Sequence, residues 1–238
     1  MKENIHQHIF NEYAQGIQAG RITPGTKLPS ENELMKSYST SRETVRKALN
    51  LLMQHGYIQK LKGKGSYVLD MGRMNFPITG LTSFKEMSGK IGRASHTHVH
   101  TTHNIKAPPA VVEALQLEPG APVCEVIRVR EIDNERVILD KDYFLPAIVG
   151  PLTAEIAAGS IYEYLEQVLK LVISYAKKEI SVEVATIEDR ELLDLHGLSH
   201  VVVVRNFVYL EDTTLFQYTE SRHRLDKFQF VDFARRMP

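Results

Sequence analysis

Residues 41–70 read SRETVRKALNLLMQHGYIQKLKGKGSYVLD. Ser41 is a helix-capping residue, and Val45, Ala48, Leu49 and Leu52 then recur at helical spacing until Gly56. The other side of that helix carries Arg42, Arg46 and Lys47. Two strand-like runs follow, YIQKL and SYVLD, joined by Lys62-Gly63-Lys64-Gly65, where glycine permits a tight turn. A cationic helix beside a cationic hairpin predicts a surface for a polyanion.

Upstream, Ile9, Phe10, Tyr13, Ala14 and Ile17 predict a first helix over residues 5–19, stopped by Gly20. Pro24-Gly25 makes a turn, and Ser30 with Glu33 forms a capping box that opens a second helix. Three helices and a hairpin is the order of a winged helix-turn-helix, whose third helix enters the DNA major groove. Arg42 and Arg46 stand one turn apart near the start of that helix, where a guanidinium can pair with guanine and Thr44 can meet a base edge. Helix starts at Ser30 and Ser41 offer free N–H groups to phosphates. Lys27, Lys47, Lys62 and Lys64 add attraction that does not depend on sequence. Simple solvation explains any one of these cations, but not the capped helices, the arginine pair and the Lys-Gly turn together.

The chain has 238 residues, 43% hydrophobic and 24% charged, with zero net charge. That suits one large or two smaller globular domains. Residues 1–70 hold 10 Lys or Arg against 6 Asp or Glu, and the remainder holds 19 against 23, so the balance is uneven. No apolar run approaches the ~20 residues of a membrane span, and the first residues lack the apolar stretch of a secretory signal. One cysteine, Cys124, allows no internal disulfide. The expected location is the cytoplasm, with no membrane partner.

"DMGRMNFPITG", residues 70–80, has Gly, Pro and little periodicity and marks a boundary. The expected organisation is a DNA-binding domain over 1–70, a linker over 71–80 and a second domain over 81–238. In the second domain, a short capped helix starts at Ser83 and "PPAVVEALQL" gives another. "PVCEVIRVREID" and "ERVILDKDYFL" form a hairpin around Asp133-Asn134-Glu135. "SIYEYLEQVL" and "TIEDRELLDL" are helical, whereas "VISYAKKEISVEV", "HVVVVRNFVYL", "TLFQYTESRHR" and "FQFVDFA" are strands. The predicted fold class is α+β, a mostly antiparallel sheet with helices. Alternation puts Arg128 and Arg130 on one side of their strand, where they face either water or an anion. Paired guanidinium donors match phosphate oxygens.

The segment PGTKLPSENELMKSYSTSRETVRKALNLLMQHGYIQKLKGKGSYV resembles the amino-terminal domain of the GntR family of bacterial transcription regulators. The resemblance implies phosphate contacts near Ser30 and Glu31, base or backbone contacts from Arg42, Thr44 and Arg46, and minor-groove contact from Gly63 at the wing. Asn32 departs from relatives that carry a DNA-contacting arginine there. The second domain is similar to the effector-binding (UTRA) domain of the HutC branch, whose fold is chorismate-lyase-like. By that resemblance Ser83, Phe84, Arg128, Arg130, Ser160 and Glu220 meet an effector, with Tyr143, Tyr162 and Arg222 placed by register. The implied function is repression from operator DNA by a homodimer, relieved by a phosphosugar. Trehalose 6-phosphate is the expected inducer, and another phosphosugar such as glucosamine 6-phosphate is the alternative.

No acid–base pair or nucleophile motif stands out, so an enzyme acting on the ligand is the weaker expectation. His96, His98, His100 and His103 alternate in a possible strand without an accompanying carboxylate or cysteine, and are read as exposed residues rather than metal ligands. No metal or cofactor is expected.

Overall fold

The computed structural model describes residues 4–61, 63–70, 84 and 94–230. The chain divides into two compact units, whose described parts are residues 4–70 and residues 84 and 94–230.

In the first unit α1 (Ile5–Gln18), α2 (Glu31–Ser37) and α3 (Arg42–Gln54) precede β1 (Ile58–Leu61) and β2 (Gly65–Val68), which pair antiparallel. Ile9, Leu34, Val45, Leu49, Leu52 and Ile58 form its core. The capping box at Ser30 and Glu33 is present, and Ser41 caps α3 by accepting from the Thr44 N–H. At the hairpin tip Gly63 and Gly65 have φ of +75° and +107°, a region that side chains disfavour. A Cβ on Gly65 would also come within 2.9 Å of Lys27 Cε.

The second unit is one antiparallel sheet in the order β3-β4-β5-β8-β7-β6. Its strands are β3 (Ser95–Lys106), β4 (Pro122–Ile132), β5 (Glu135–Phe144), β6 (Ile173–Val184), β7 (His200–Leu210) and β8 (Leu215–Arg224). β4 and β5 form a tight hairpin: Asp133 and Asn134 both take positive φ, 53° and 63°, as a two-residue turn of matching twist requires. A register shift between Arg130 and Glu131 then moves the β4–β5 pairing by one residue. The helices are α4 (Pro109–Leu115), α5 (Pro146–Val149), α6 (Ala154–Ala158), α7 (Ile161–Glu163) and α8 (Ile187–Leu192). α7 widens at once into a π-helical turn over Tyr164–Val168.

The central strands β4, β5, β8 and β7 are largely buried on both faces. Ala157, Ile161 and Leu165, from α6, α7 and the π turn, pack on Val126, Phe144 and Val208 of one face. The segment around α8 covers the other, where Leu193 and Leu195 meet Val129, Leu139 and Val203. Val201–Val204 are all buried within one chain, so the valine-rich run is core. The histidine-rich segment is the outer part of edge strand β3, and its alternate residues His96, His98 and His100 are exposed. One expectation differs. Residues 228–230 form no strand, and a 3-10 turn at Leu225–Lys227 ends β8 instead; the rest of "FQFVDFA" lies outside the described residues. The expected helix starting at Ser83 also lies outside them, apart from Phe84.

Candidate functional site

The first candidate surface is the outer side of α3. Val45, Ala48, Leu49 and Leu52 turn inward, leaving Arg42 and Arg46 exposed. Neither guanidinium is idle. Arg42 Nη2 donates to Asn32 Oδ1 at 2.8 Å, and Arg46 Nε donates to Glu31 Oε2 at 3.0 Å. Glu31 Oε1 also accepts from Lys60 Nζ of β1 at 2.7 Å. The Lys60 hydrogen bond, with that of Arg46, outweighs burial and holds the Glu31 carboxyl below the usual carboxylate range. Two consecutive residues at the start of α2 thus orient both arginines. Ser30, Ser41, Gly63 and Lys64 are exposed around the same elements, Thr44 is half-buried, and Lys62 lies outside the described residues. Sequence reasoning missed Lys60 and the link from Asn32 to Arg42, because both depend on where α2 meets α3 and the wing.

The second is a pocket in the other unit, lined by Phe84, Arg128, Arg130, Ser160, Tyr162 and residues of β5, β7 and β8. The arginines are buried, at 7% and 3% exposed, which settles that this side of β4 is no solvated face. Each is held by a buried aspartate across the β4–β5 pairing. Arg128 Nη2 donates to Asp142 Oδ2 at 2.5 Å, and Arg130 Nε to Asp140 Oδ2 at 2.8 Å. Arg130 also donates to Thr97 Oγ1 at 2.7 Å and lies over the Phe84 ring, 4.7 Å from its centroid. Burial, with the charge of Arg128, lowers the Arg130 pKa. Burial opposes ionisation of Asp140, but Arg130, Arg128 and the Ser221 hydroxyl outweigh it and hold the carboxyl below its usual range. Tyr162 is pushed up by burial and by Asp142, so it remains a neutral hydrogen-bonding phenol. His223 is pushed down to about 4 by burial, with Asp140 opposing.

Tyr143, Glu220 and Arg222, expected with the pocket residues, do not join them. Strand alternation is the reason: Asp142, Thr219 and Ser221 line the pocket, so their neighbours in sequence point to the other face. There Tyr143 packs with Tyr218 against α4. Arg222 is buried against Asp189 of α8, Nε donating at 2.8 and 3.0 Å, and its Nη1 donates to Glu220 at 2.6 Å. Glu220 is shared with Arg205 at 3.3 Å. The pocket instead gains Asp140, Asp142, Gln217, Thr219 and Ser221. Ser83 lies outside the described residues.

Among the described residues no three His, Cys, Asp or Glu side chains gather as a metal would require. His98 and His103 instead approach Glu131 and Glu125, at 3.0 and 3.5 Å. No described helix is long and apolar enough to cross a membrane.

Residues 5–68 match the family model "Bacterial regulatory proteins, gntR family", and residues 90–229 match that of the UTRA domain. Over 237 residues the chain is 56% identical to the HTH-type transcriptional regulator TreR of Bacillus subtilis, covering 99% of both chains. It is 27% identical over 233 residues to the repressor NagR of the same organism, covering 98% of this chain and 96% of NagR. Among solved structures it resembles the possible transcriptional regulator YydK of B. subtilis, with TM-score 0.80, 26% identity, and coverage of 97% of this chain and 99% of YydK. It also resembles the effector-binding domain of the B. subtilis trehalose repressor, with TM-score 0.56 and 58% identity over 60% of this chain and 99% of that one. A winged-helix unit with an arginine pair on its third helix, followed by a matching UTRA domain, places this chain in the GntR family of bacterial transcription regulators.

Proposed function

We propose that the chain is a repressor of trehalose-use genes, released from its operator by trehalose 6-phosphate bound at Arg128 and Arg130. The observation that carries this reading is the burial of both arginines on one wall of a pocket also lined by Ser160, Tyr162 and two carboxylates. Guanidinium groups suit a phosphate, and the carboxylates, amide and hydroxyls suit a sugar. The likeness to the effector-binding domain of the B. subtilis trehalose repressor supports the choice of sugar. Another phosphosugar, such as glucosamine 6-phosphate, is the second reading, since the buried arginine pair suits any phosphate.

In this reading residues 1–70 bind DNA, 71–80 link, and 81–238 bind the effector. Arg42, Thr44 and Arg46 face one half-site, with Ser30, Glu31, Ser41, Lys62 and Lys64 at phosphates and Gly63 of the wing in the minor groove. A cytoplasmic homodimer spans two half-sites. Support for a dimer comes from edge strand β6, where Ile180, Val182 and Val184 are 42%, 61% and 64% exposed at a spacing of two. Effector binding weakens operator binding, and by reciprocity operator weakens effector binding by the same factor.

Thermal unfolding with trehalose 6-phosphate, trehalose, glucose 6-phosphate and glucosamine 6-phosphate tests the ligand. At about 100 times its dissociation constant the true effector adds roughly 2.7 kcal/mol of stability. Selective stabilisation by trehalose 6-phosphate is expected. A response only to another phosphosugar overturns the sugar, and no response to any phosphate overturns the site.

A further inference from the structure

Asp142 is 2% exposed and both of its oxygens accept hydrogen bonds. Besides the Arg128 contact, Oδ1 accepts from Thr219 Oγ1 at 2.8 Å and from Gln217 Nε2 at 3.0 Å. Gln217 Oε1 accepts from Tyr162 Oη at 3.2 Å, so hydrogen bonds run from β4 through β5 and β8 to α7. Arg128 Nη1 points at the carbonyl of Ala157 in α6, 3.4 Å away. Both ends of the relay therefore bear on the same short segment, residues 157–162.

The two arginines differ in one respect. Arg130 uses Nε and Nη1, whereas the Nε–H of Arg128 is buried with no hydrogen-bond partner. Nε and Nη2 form one edge of a guanidinium, the edge that two oxygens of an oxyanion fill together. Asp142 half-fills it. A buried donor left without a partner is unfavourable, and an oxyanion at that edge would satisfy it. The four buried charges, Arg128 and Arg130 against Asp140 and Asp142, cancel. An anion is thus attracted only in so far as an arginine is drawn from its aspartate.

We propose that Asp142 is a positioning residue that competes with the incoming anion for the Nε/Nη2 edge of Arg128. The exchange loosens both the Ala157 and the Gln217–Tyr162 attachments, so occupancy of the pocket is passed to α6 and α7. This rests on the effector reading given above.

The test is calorimetric titration of the full-length protein with inorganic phosphate and with trehalose 6-phosphate, paired with hydrogen exchange of residues 154–163. Asp142→Asn removes the competing charge and is expected to tighten inorganic phosphate about tenfold, which corresponds to ~1.4 kcal/mol. Thr219→Val removes a donor that occupies Asp142, leaves the carboxylate to hold Arg128 harder, and is expected to weaken phosphate. Phosphate changes exchange in 154–163 of the wild type and not in Asp142→Asn. Opposite shifts in the two variants are the signature, since a general loss of packing moves both the same way. Unchanged or weaker phosphate binding by folded Asp142→Asn overturns the proposal. If that variant does not fold, Thr219→Val decides alone, and binding no weaker than wild type overturns it. A wild type that binds neither ligand overturns the effector reading, and this inference with it.

Discussion

The protein holds two arginine pairs in opposite surroundings. On α3, Arg46 has 58% of its side chain exposed, and its partner Glu31 keeps 21%. On β4, the side chains of Arg128 and Asp142 are 9% and 3% exposed, and those of Arg130 and Asp140 4% and 12%. Each pair is oriented by acceptors from a neighbouring element, but the strength of that hold differs. An exposed ion pair contributes about 0–1 kcal/mol and is readily exchanged for another anion. A buried one cannot lose a single partner cheaply, because the charge left behind has no water. The first arrangement suits a partner that comes and goes over a large surface. The second suits a small anion met in one geometry, and it also holds the unit together.

The comparison breaks most visibly if the buried pair can be cut without penalty. Arg130→Ala leaves Asp140 buried with only the Ser221 hydroxyl and the more distant Arg128 charge, and should cost roughly 3–5 kcal/mol in chemical unfolding of the second unit. Ligand-induced stabilisation should vanish. Arg130→Lys keeps the charge but not the planar fork, so it should retain more stability than effector response. DNA binding at a temperature where the variant remains folded should persist. A loss of both functions with the fold intact would end the division of labour between the units.

The matching cut in the exposed pair should be smaller and fall on the other function. Arg46→Ala is expected to cost about 1–3 kcal/mol of operator affinity if it reads a base, with unfolding and effector affinity unchanged. Electrophoretic mobility shift with an operator selected from a random library would measure it. An equal loss on unselected DNA would reassign Arg46 to phosphate contact.

The two pairs were not equally legible from sequence. The α3 pair follows from local rules alone: a capped helix, an apolar stripe, and cations on the side the stripe leaves free. The β4 pair was placed on one side correctly by alternation, but its partners were not. Counted from the tight turn, where Ile132 faces Glu135, Arg128 would lie opposite Leu139. The shift at Arg130 moves the register by one, so Arg128 meets Asp140 as its strand neighbour and the aspartates of β5 share the arginine face. A bulge of this kind has no local sequence signal. Glu220 and Arg222 show the converse: the resemblance and the register set them toward the effector, but Thr219 and Ser221 line the pocket, so alternation turns them to the opposite face, where Arg222 meets Asp189 of α8.

A third effect lies between the two in kind, a neutral group beside the buried charges. With His223 at about 4 in the folded state and near the ordinary 6.5 when unfolded, the unfolded chain binds more protons between those values. His223 therefore contributes stability that is fully present above about pH 6.5 and lost as pH falls toward 4, with a slope of at most ~1.4 kcal/mol per pH unit. Chemical unfolding at pH 7, 6 and 5 should show the loss, and His223→Asn should flatten it. Asp140 is depressed instead, so its contribution is lost only below the ordinary carboxylate range, and the two are separable by pH.

The smallest effect should come from the wing. Lys64 is exposed at the hairpin tip, where Gly63 turns the chain, and the reading given above sets it against phosphate and not a base. Lys64→Ala should weaken operator and unselected DNA by similar factors, and should reduce the slope of log affinity against log salt by about 0.9. Arg46→Ala, by contrast, should change the ratio between the two DNAs. If Lys64→Ala alters that ratio while Arg46→Ala does not, sequence reading belongs to the wing, and the exposed arginine pair is the anchor.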